Sequence, residues 1–406
     1  MILKIALLSY EYPPDTGFGG IGSYTWHHAR ALAALGEEVH VLAGAVQGHA
    51  LDTQDQDGVR VHRYRARDPL MWGCAALGRL GLPWTGNRLQ NAWSMGRAFA
   101  RLQSSHGFDV VEAPECGADA AWITAVGAVP SVVRLHSPAR CIMPFYAVSA
   151  LDLSGCAAIE RQAIRRATAL SACSRFVAQA AAPELGLGQQ ASIIRNGLDL
   201  EWFDQAASAR VQAEDFGLPG DQPIVLFTGR LERRKGIHLC ATIAASLLAR
   251  HRVSLVFVGD DPEGIYRRAI LPAVAGVDRL GSVHWLGRRD IAEIRSLVRL
   301  CRVFMLPSLW ENCPYSCLEA MAAGRAVVCT DQGGLPEIVR DGDNGLLARS
   351  GDAAHFAALI AQLLDAPALA ARLGENARAT VRHHHSHLAV AREALNLYRS
   401  IARPCR

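Results

Sequence analysis

Residues 303–324 read VFMLPSLWENCPYSCLEAMAAG, and this stretch sets the fold class. Val303–Leu306 is a short, wholly apolar run, as expected of a strand buried on both faces. The turn after it carries Glu311, and the helix-like segment that follows carries Glu319 ahead of an Ala-Met-Ala-Ala interior. Strand, turn and helix in that order form half of a parallel α/β unit. A helix start offers partial positive charge and unpaired N–H groups, which suit phosphate or polar sugar groups. Two acceptor-only carboxylates beside it suit a ligand anionic at one end and rich in hydroxyls at the other, as a sugar nucleotide is. Glu319 has a competing structural reading. Ser316 and Glu319 spell the S-x-x-E capping box, with Glu319 in the first helical turn.

The rest of the chain repeats the pattern. Apolar runs at Lys4–Ser9, Val39–Ala43, Val59–His62, Val110–Glu112, Ser131–Leu135, Ala169–Ala172 and Ser192–Ile194 alternate with amphipathic stretches. After a break at RNGLDLEWF and an Ala- and Asp-rich segment ending in GLPGDQP, a second alternation runs through Ile224–Thr228, Leu255–Gly259, Val283–Leu286, Val303–Leu306 and Ala326–Cys329. The chain therefore reads as α/β, with two doubly wound, Rossmann-like domains facing each other across a cleft. The expected boundaries are 1–197, 198–385 and a C-terminal helix in 386–406, whose amphipathic part from Leu388 to Ile401 packs back on one domain, the N-terminal one included. Ligands of such sheets bind outside the carboxyl ends of the strands.

Composition narrows the function. A length of 406 residues favours two domains, and 50% hydrophobic with 20% charged residues describes a globular chain. The net charge of +4 is small, and no basic block marks a nucleic-acid footprint. The 11 cysteines are scattered without metal-ligand spacing, so they read as buried thiols in a reducing, cytoplasmic setting. The N-terminal run MILKIALLSYEYPP is a first strand rather than a signal peptide, and no uninterrupted apolar stretch spans a bilayer.

Lys4 and Lys235 are the only lysines in a chain that otherwise uses arginine. Lys235 lies in GRLERRKGIHL after the run Ile224–Thr228, where Gly229 allows a tight turn and Arg230 and Lys235 supply cations. A basic loop leading into a helix is built to hold a diphosphate, and a lysine there is a compact, movable point charge. A solvated surface cluster with Arg233 and Arg234 is the competing reading. The N-terminal loop GFGGIG places Gly17, Gly19 and Gly22 in G-x-G-x-x-G register, with Gly20 between them. That spacing alone suggests a dinucleotide site. EYPPDT, however, separates it from the strand, and the second strand ends in Gly44 and Ala45 without an acid for a ribose. A glycine loop near a sugar or phosphate is the reading that fits better.

His136 in RLHSP falls at a strand's carboxyl end, on the cleft. Asn196–Gly197 is either a cleft contact or a linker turn. GGLPEIV from Gly333 reads as a glycine turn entering a helix with Pro336 early in it, and Glu337 as a partner of that helix dipole. The run His383, His384, His385 and His387 lacks acidic or cysteine partners at ligand spacing and reads as metal-free.

The Gly-rich loop Gly17–Gly22, the LHSP histidine, Asn196–Gly197, Arg230 with Lys235, Glu311 and Glu319 in E-x7-E spacing, and GGLPEIV together resemble the retaining glycosyltransferases of the family-four (glycosyl transferases group 1) type. The resemblance covers nearly the whole chain and implies the GT-B fold. It implies that Arg230 and Lys235 neutralise the donor diphosphate, that Glu311 holds the donor sugar and Glu319 the ribose, and that His136 contacts the transferred sugar. The donor site would also include Gly19, Gly20 and Asn196. No metal or other cofactor would be needed, because cations and helix N-termini take the leaving-group charge. Retention would follow from same-face attack, with the leaving phosphate oxygen taking the acceptor proton. Two departures stand out. NCPYSC after Glu311 contains no glycine, and Ala326 stands where the family usually has proline.

The expected function is therefore sugar transfer from a nucleotide-diphosphate donor to an acceptor hydroxyl, in polysaccharide, glycolipid or related glycoconjugate synthesis. The acceptor is open: glycan, lipid-linked or small molecule. A nucleotide-sugar hydrolase or epimerase of the same fold, and a catalytically silent nucleotide-sugar binder, are the alternatives. The apolar stretches PLMWGCAALGRLGLPW from Pro69 and IMPFYA from Ile142 raise peripheral contact with a membrane's inner face, with internal packing as the competing reading.

Overall fold

The computed structural model of the chain describes residues 2–17, 19–45, 52–64, 71–205, 211–278 and 280–402. It divides into two compact units, Met1–Gly197 with His387–Arg406, and Leu198–Ser386.

The first unit holds a sheet of β1 (Lys4–Ser9), β2 (Glu38–Gly44), β3 (Asp52–Gln56), β4 (Val59–Tyr64), β5 (Val110–Pro114), β6 (Ser131–Leu135), β7 (Ala169–Ala172) and β8 (Ala191–Ile193). Their order is β3-β4-β2-β1-β5-β6-β7-β8, and only β3 pairs antiparallel. The apolar runs form strands because helices cover both faces, so alternation is unnecessary. Ile5 pairs with Val39 on one side and Val110 on the other, and all three are buried. The strand β3 has the sequence DTQDQ, with no apolar residue to announce it. It forms through the two-residue turn Asp57-Gly58, where φ is 54° and 80°, the left-handed conformation that hairpin turns require.

The helix His387–Ile401 belongs to this unit. Val390, Ala391, Ala394, Leu395 and Tyr398 are buried in the same core as Ala31 and Leu32 of the helix Gly20–Ala34.

The second unit holds β9 (Ile224–Thr228), β10 (Ser254–Val258), β11 (Val283–Gly287), β12 (Val303–Leu306), β13 (Ala326–Thr330) and β14 (Leu346–Ala348), all parallel, in the order β11-β10-β9-β12-β13-β14. The chain lays β10 and β11 on one side of β9, then places β12 on the other. Between β9 and β12 lies the topological switch point, where the following loops diverge and leave a crevice.

Part of the break between the two strand alternations is packed structure. The helix Leu200–Gln205 is held by Arg295, whose Nη1 donates to the Trp202 carbonyl at 2.6 Å and whose guanidinium sits 3.8 Å over the Trp202 ring. No disulfide joins any of the described cysteines.

Candidate active site

Two loops meet at the switch point of the second sheet. The one after β9 begins at Gly229 with φ 139°, and its neighbour after β10 begins at Gly259 with φ 136°. A Cβ on Gly259 would stand 2.1 Å from the Gly229 carbonyl oxygen, so the two turns close only because both are glycine. The β9 loop continues through a short 3-10 turn, Arg233–Lys235, and ends at Gly236, where a Cβ would lie 1.8 Å from the Pro307 carbonyl oxygen. Leu309 N–H donates to the Arg234 carbonyl at 2.8 Å, which fastens the β9 loop to the β12 loop.

That fastening brings Lys235 to Glu311. Lys235 Nζ donates to Glu311 Oε1, as does Ser308 Oγ at 3.1 Å, and Arg234 Nη1 approaches it at 3.5 Å. Both partners are largely buried. Burial works to raise the Glu311 pKa, but Lys235 and Arg234 outweigh it and hold the carboxyl below its usual range. Burial lowers Lys235, with Glu311 opposing the shift. Arg234 is occupied by Glu232, at 2.8 and 3.1 Å. Arg230 is exposed, its Nε 3.6 Å from Glu232 Oε2. The basic cluster of the sequence is thus divided. Arg234 is structural, Lys235 is paired at the crevice, and Arg230 reaches solvent.

The glycine turn after β13 completes the frame. Gly334 N–H donates to the Glu311 carbonyl at 2.8 Å. Gly333, at φ 70°, would place a Cβ 1.9 Å from that carbonyl oxygen. Pro336 does fall early in a short helical turn, Leu335–Glu337.

Glu319 differs from expectation in one respect. The helix runs Tyr315–Ala322 with Pro314 at its N-cap and no side-chain cap. Ser316 is therefore inside the helix, the capping box does not form, and Glu319 lies in the second turn. Proline, which has no N–H to satisfy and a fixed φ, starts the helix before Ser316 can. Burial pushes the Glu319 carboxyl up to about 7, against the pull of Arg295.

In the first unit, Gly19 and Gly20 follow β1, His136 follows β6 and Asn196 follows β8. Gly19 is the N-cap of the helix Gly20–Ala34, and a Cβ there would fall 1.7 Å from Glu11 Oε2. A side chain at Gly19 would therefore displace the Glu11 carboxylate, the far end of a flexible side chain. At Gly20 nothing stands within 4 Å of a Cβ position, so that backbone is approachable. Phe18, within the glycine loop, lies outside the described residues.

His136 follows β6, with its ring edge-on to Tyr24 at 5.1 Å between centroids. Burial first, and Arg134 second, hold the imidazole well below its usual range, so it is neutral. Its backbone N–H donates to the Glu115 carboxylate at 2.9 and 2.8 Å, and Ser137 N–H donates to Glu115 Oε1 at 2.5 Å. Burial pushes Glu115 up to about 7 despite these donors. Glu115 fixes the His136 turn and is absent from the sequence reading, which followed the apolar run only to Glu112. An acid one residue past a buried strand was the available signal.

Asn196 is buried, and its Oδ1 accepts from Arg134 Nη2 at 3.0 Å. The Arg134 guanidinium lies 3.9 Å over the Tyr24 ring. Tyr24 donates to Glu112 Oε1 at 2.7 Å, and Tyr398 of the terminal helix donates to Glu112 Oε2 at 2.8 Å. Asn196 is therefore part of a buried network behind His136. Beside these turns a cavity of about 280 Å³ opens, lined by Tyr10, Glu11, Asn87, Gln90, Asn91 and Asp119 among others. Burial pushes Asp119 up to about 7, against donors from Tyr10 N–H and Asn91.

Of the two apolar stretches, Pro69 and Leu70 lie outside the described residues, while Leu80 and Trp84 are exposed at 72% and 46%. In the second, Met143 packs with Ala139, Cys156 and Ala157, and Ile142 lies against them. No single described helix is long and apolar enough to cross a membrane.

The family model described as Glycosyl transferases group 1 matches residues 209–380, and the one described as Glycosyltransferase Family 4 matches residues 18–202. The chain is 28% identical over 406 residues to a glycogen synthase of Mycobacterium tuberculosis, covering 93% of this chain and 89% of that one. Among solved structures, sucrose-phosphate synthase from Thermosynechococcus elongatus superposes with a TM-score of 0.78 at 24% identity, over 98% of each chain. Anabaena HepE in complex with UDP-glucose gives 0.72 at 20% identity, over 98% of this chain and 100% of that one. The chain belongs to the group 1 glycosyltransferases and has their GT-B fold.

Proposed function

We propose that the chain is a retaining, metal-independent transferase that moves a sugar from a nucleoside-diphosphate donor to an acceptor hydroxyl in glycan or glycoconjugate synthesis. The observation that carries this reading is the Lys235–Glu311 pair at the switch point, with Arg230 exposed beside it. An ammonium has three N–H donors and Glu311 takes one, so Lys235 can serve a phosphate oxygen and Glu311 together. The three donors to Glu311 all reach Oε1, which leaves Oε2 as the acceptor for a sugar hydroxyl.

When the glycosidic bond to the diphosphate breaks, its electron pair goes to the leaving oxygen. Lys235 and Arg230 then stabilise the charge that appears. That same oxygen takes the proton of the attacking acceptor hydroxyl on the face it has just left, so the configuration is retained. Glu319 receives the ribose, and neutral His136 offers a hydrogen bond to the sugar without adding charge. Gly20, whose backbone is open, lines the donor side of the N-terminal unit, and Asn196 supports it from the buried network through Arg134. Cations already in place make a divalent ion unnecessary for the transfer.

The cavity beside Asn91 and Asp119 is the acceptor's place, since amides and carboxyls pair well with hydroxyls. UDP-glucose bound to HepE and the glucan chemistry named for the mycobacterial relative both favour a glucosyl donor. Exposed Leu80 and Trp84 favour a peripheral contact with a membrane's inner, cytoplasmic face or with a lipid-linked acceptor.

A thermal-shift screen of nucleotide sugars followed by NMR of the product's anomeric centre tests the reading. A donor that raises the melting temperature and yields a product of unchanged anomeric configuration supports it. Free sugar as the sole product, with every acceptor class supplied, would make the chain a hydrolase instead.

A further inference from the structure

Three histidines of the N-terminal unit converge away from these loops. His40 lies on β2, His62 on β4, and His106 ends the helix Pro83–His106, with one ring nitrogen of each within 4.8 Å of the others. His106 stands where that helix turns toward β5. This is the end of the parallel sheet opposite the loops that carry Glu115 and His136. His40 Nδ1 and His62 Nε2 are 2.9 Å apart. The outer nitrogens are held as well: His40 Nε2 is 3.2 Å from Glu38 Oε1, and His62 Nδ1 is 3.0 Å from Thr53 Oγ1.

We infer that His40 Nδ1, His62 Nε2 and a ring nitrogen of His106 form a three-histidine site for a divalent transition ion of the zinc type. Imidazole suits zinc, nickel, cobalt and copper. A ligating histidine characteristically has its other nitrogen fixed by a carboxylate or similar group, and here two of the three do. The proton balance works without loss of a proton. An ionised Glu38 accepts only, so His40 carries its hydrogen on Nε2 and its Nδ1 holds a lone pair. His62 then donates from Nε2 to that lone pair. On metal binding His62 moves its hydrogen to Nδ1, where the Thr53 hydroxyl accepts it, and both inner nitrogens face the ion. Zinc–nitrogen bonds of about 2.0–2.1 Å require the His40–His62 pair to open slightly and His106 to close in. His106 is only partly buried, at a helix end, and can make that movement.

The ion would tie β2, β4 and the end of the Pro83–His106 helix together. The site is independent of sugar transfer, and its failure leaves that reading untouched. The test is titration of the full-length, chelator-stripped protein with Zn²⁺ against a chromophoric competitor, with Co²⁺ absorption as a second readout. One equivalent should bind. His62→Gln and, separately, His106→Gln should each weaken it at least about 100-fold, and Glu38→Gln by about 10- to 100-fold. The half-buried His106 variant carries the test if His62→Gln does not fold. No bound zinc would overturn the inference. Equal affinity in both variants would also overturn it, by assigning the ion to the run His383–His387.

Discussion

Glu311 Oε1 accepts a hydrogen bond from Lys235 Nζ across the point where the strand order of the C-terminal sheet reverses. The two residues are 76 apart in sequence, and two glycines permit their meeting. Gly236 lets the β9 loop pass the Pro307 carbonyl, and Gly333 lets the β13 turn pass that of Glu311. The pair sits with a second cation, Arg230, in a crevice that α/β sheets use for ligands.

Because the pair is buried, its members are interdependent in stability. Lys235→Met leaves Glu311 as a buried charge with fewer partners and should cost about 3 kcal/mol or more. The double variant Lys235→Met with Glu311→Gln should recover much of that loss. Urea unfolding of the four proteins of this cycle measures the coupling, and simple additivity would show that the pair is not closed.

Gly333→Ala should be damaging although it adds one methyl group. The residue sits at φ 70° and its Cβ would meet the Glu311 carbonyl oxygen at 1.9 Å. A loss of about 1–3 kcal/mol is expected from the strained conformation, with weaker donor binding as Glu311 shifts. Thermal unfolding and donor titration check both effects. At Gly20, where the space is open, alanine should leave stability nearly unchanged.

The pH dependence follows from Glu319, whose carboxyl burial pushes up to about 7 from its ordinary value of 4.5. The folded chain therefore holds this proton more tightly than the unfolded chain. The neutral carboxyl is tolerated below about pH 4.5, and stability is lost as pH rises through about 7. The ceiling is about 3 kcal/mol, and partial exposure of the side chain reduces it. Glu319→Gln should flatten the stability curve between pH 5 and 8, and an unchanged slope would count against this burial effect. Glu115, also near 7, contributes in the same direction.

The terminal helix should be indispensable to the N-terminal unit. Tyr398→Phe removes the donor to Glu112 Oε2 and should cost about 1–3 kcal/mol. Truncation after Ser386 also strips Val390, Ala394 and Leu395 from the core and should leave that unit unfolded by circular dichroism.

Much of this architecture is legible in the sequence. The buried parallel strands announced themselves as unbroken apolar runs, since strands covered on both faces need no polar alternation. What stayed hidden had no such signature. The strand DTQDQ is polar throughout and depends on the Asp57-Gly58 turn, a signal that apolar periodicity does not weigh. Leu346–Ala348 is too short to stand out. The pairing of Lys235 with Glu311, rather than Arg234 with Glu311 alone, is a consequence of tertiary approach. Glu115 acts through backbone N–H groups of another strand's turn, which no local pattern encodes.

The central claim is that Lys235 stabilises charge developing on the leaving diphosphate. Steady-state kinetics of Lys235→Ala with a donor found by the thermal-shift screen tests it most directly. The expected result is a fall in kcat of about 100-fold or more, with the acceptor KM within about twofold of the parent. A variant that folds, binds donor and turns over at the parental rate would contradict it.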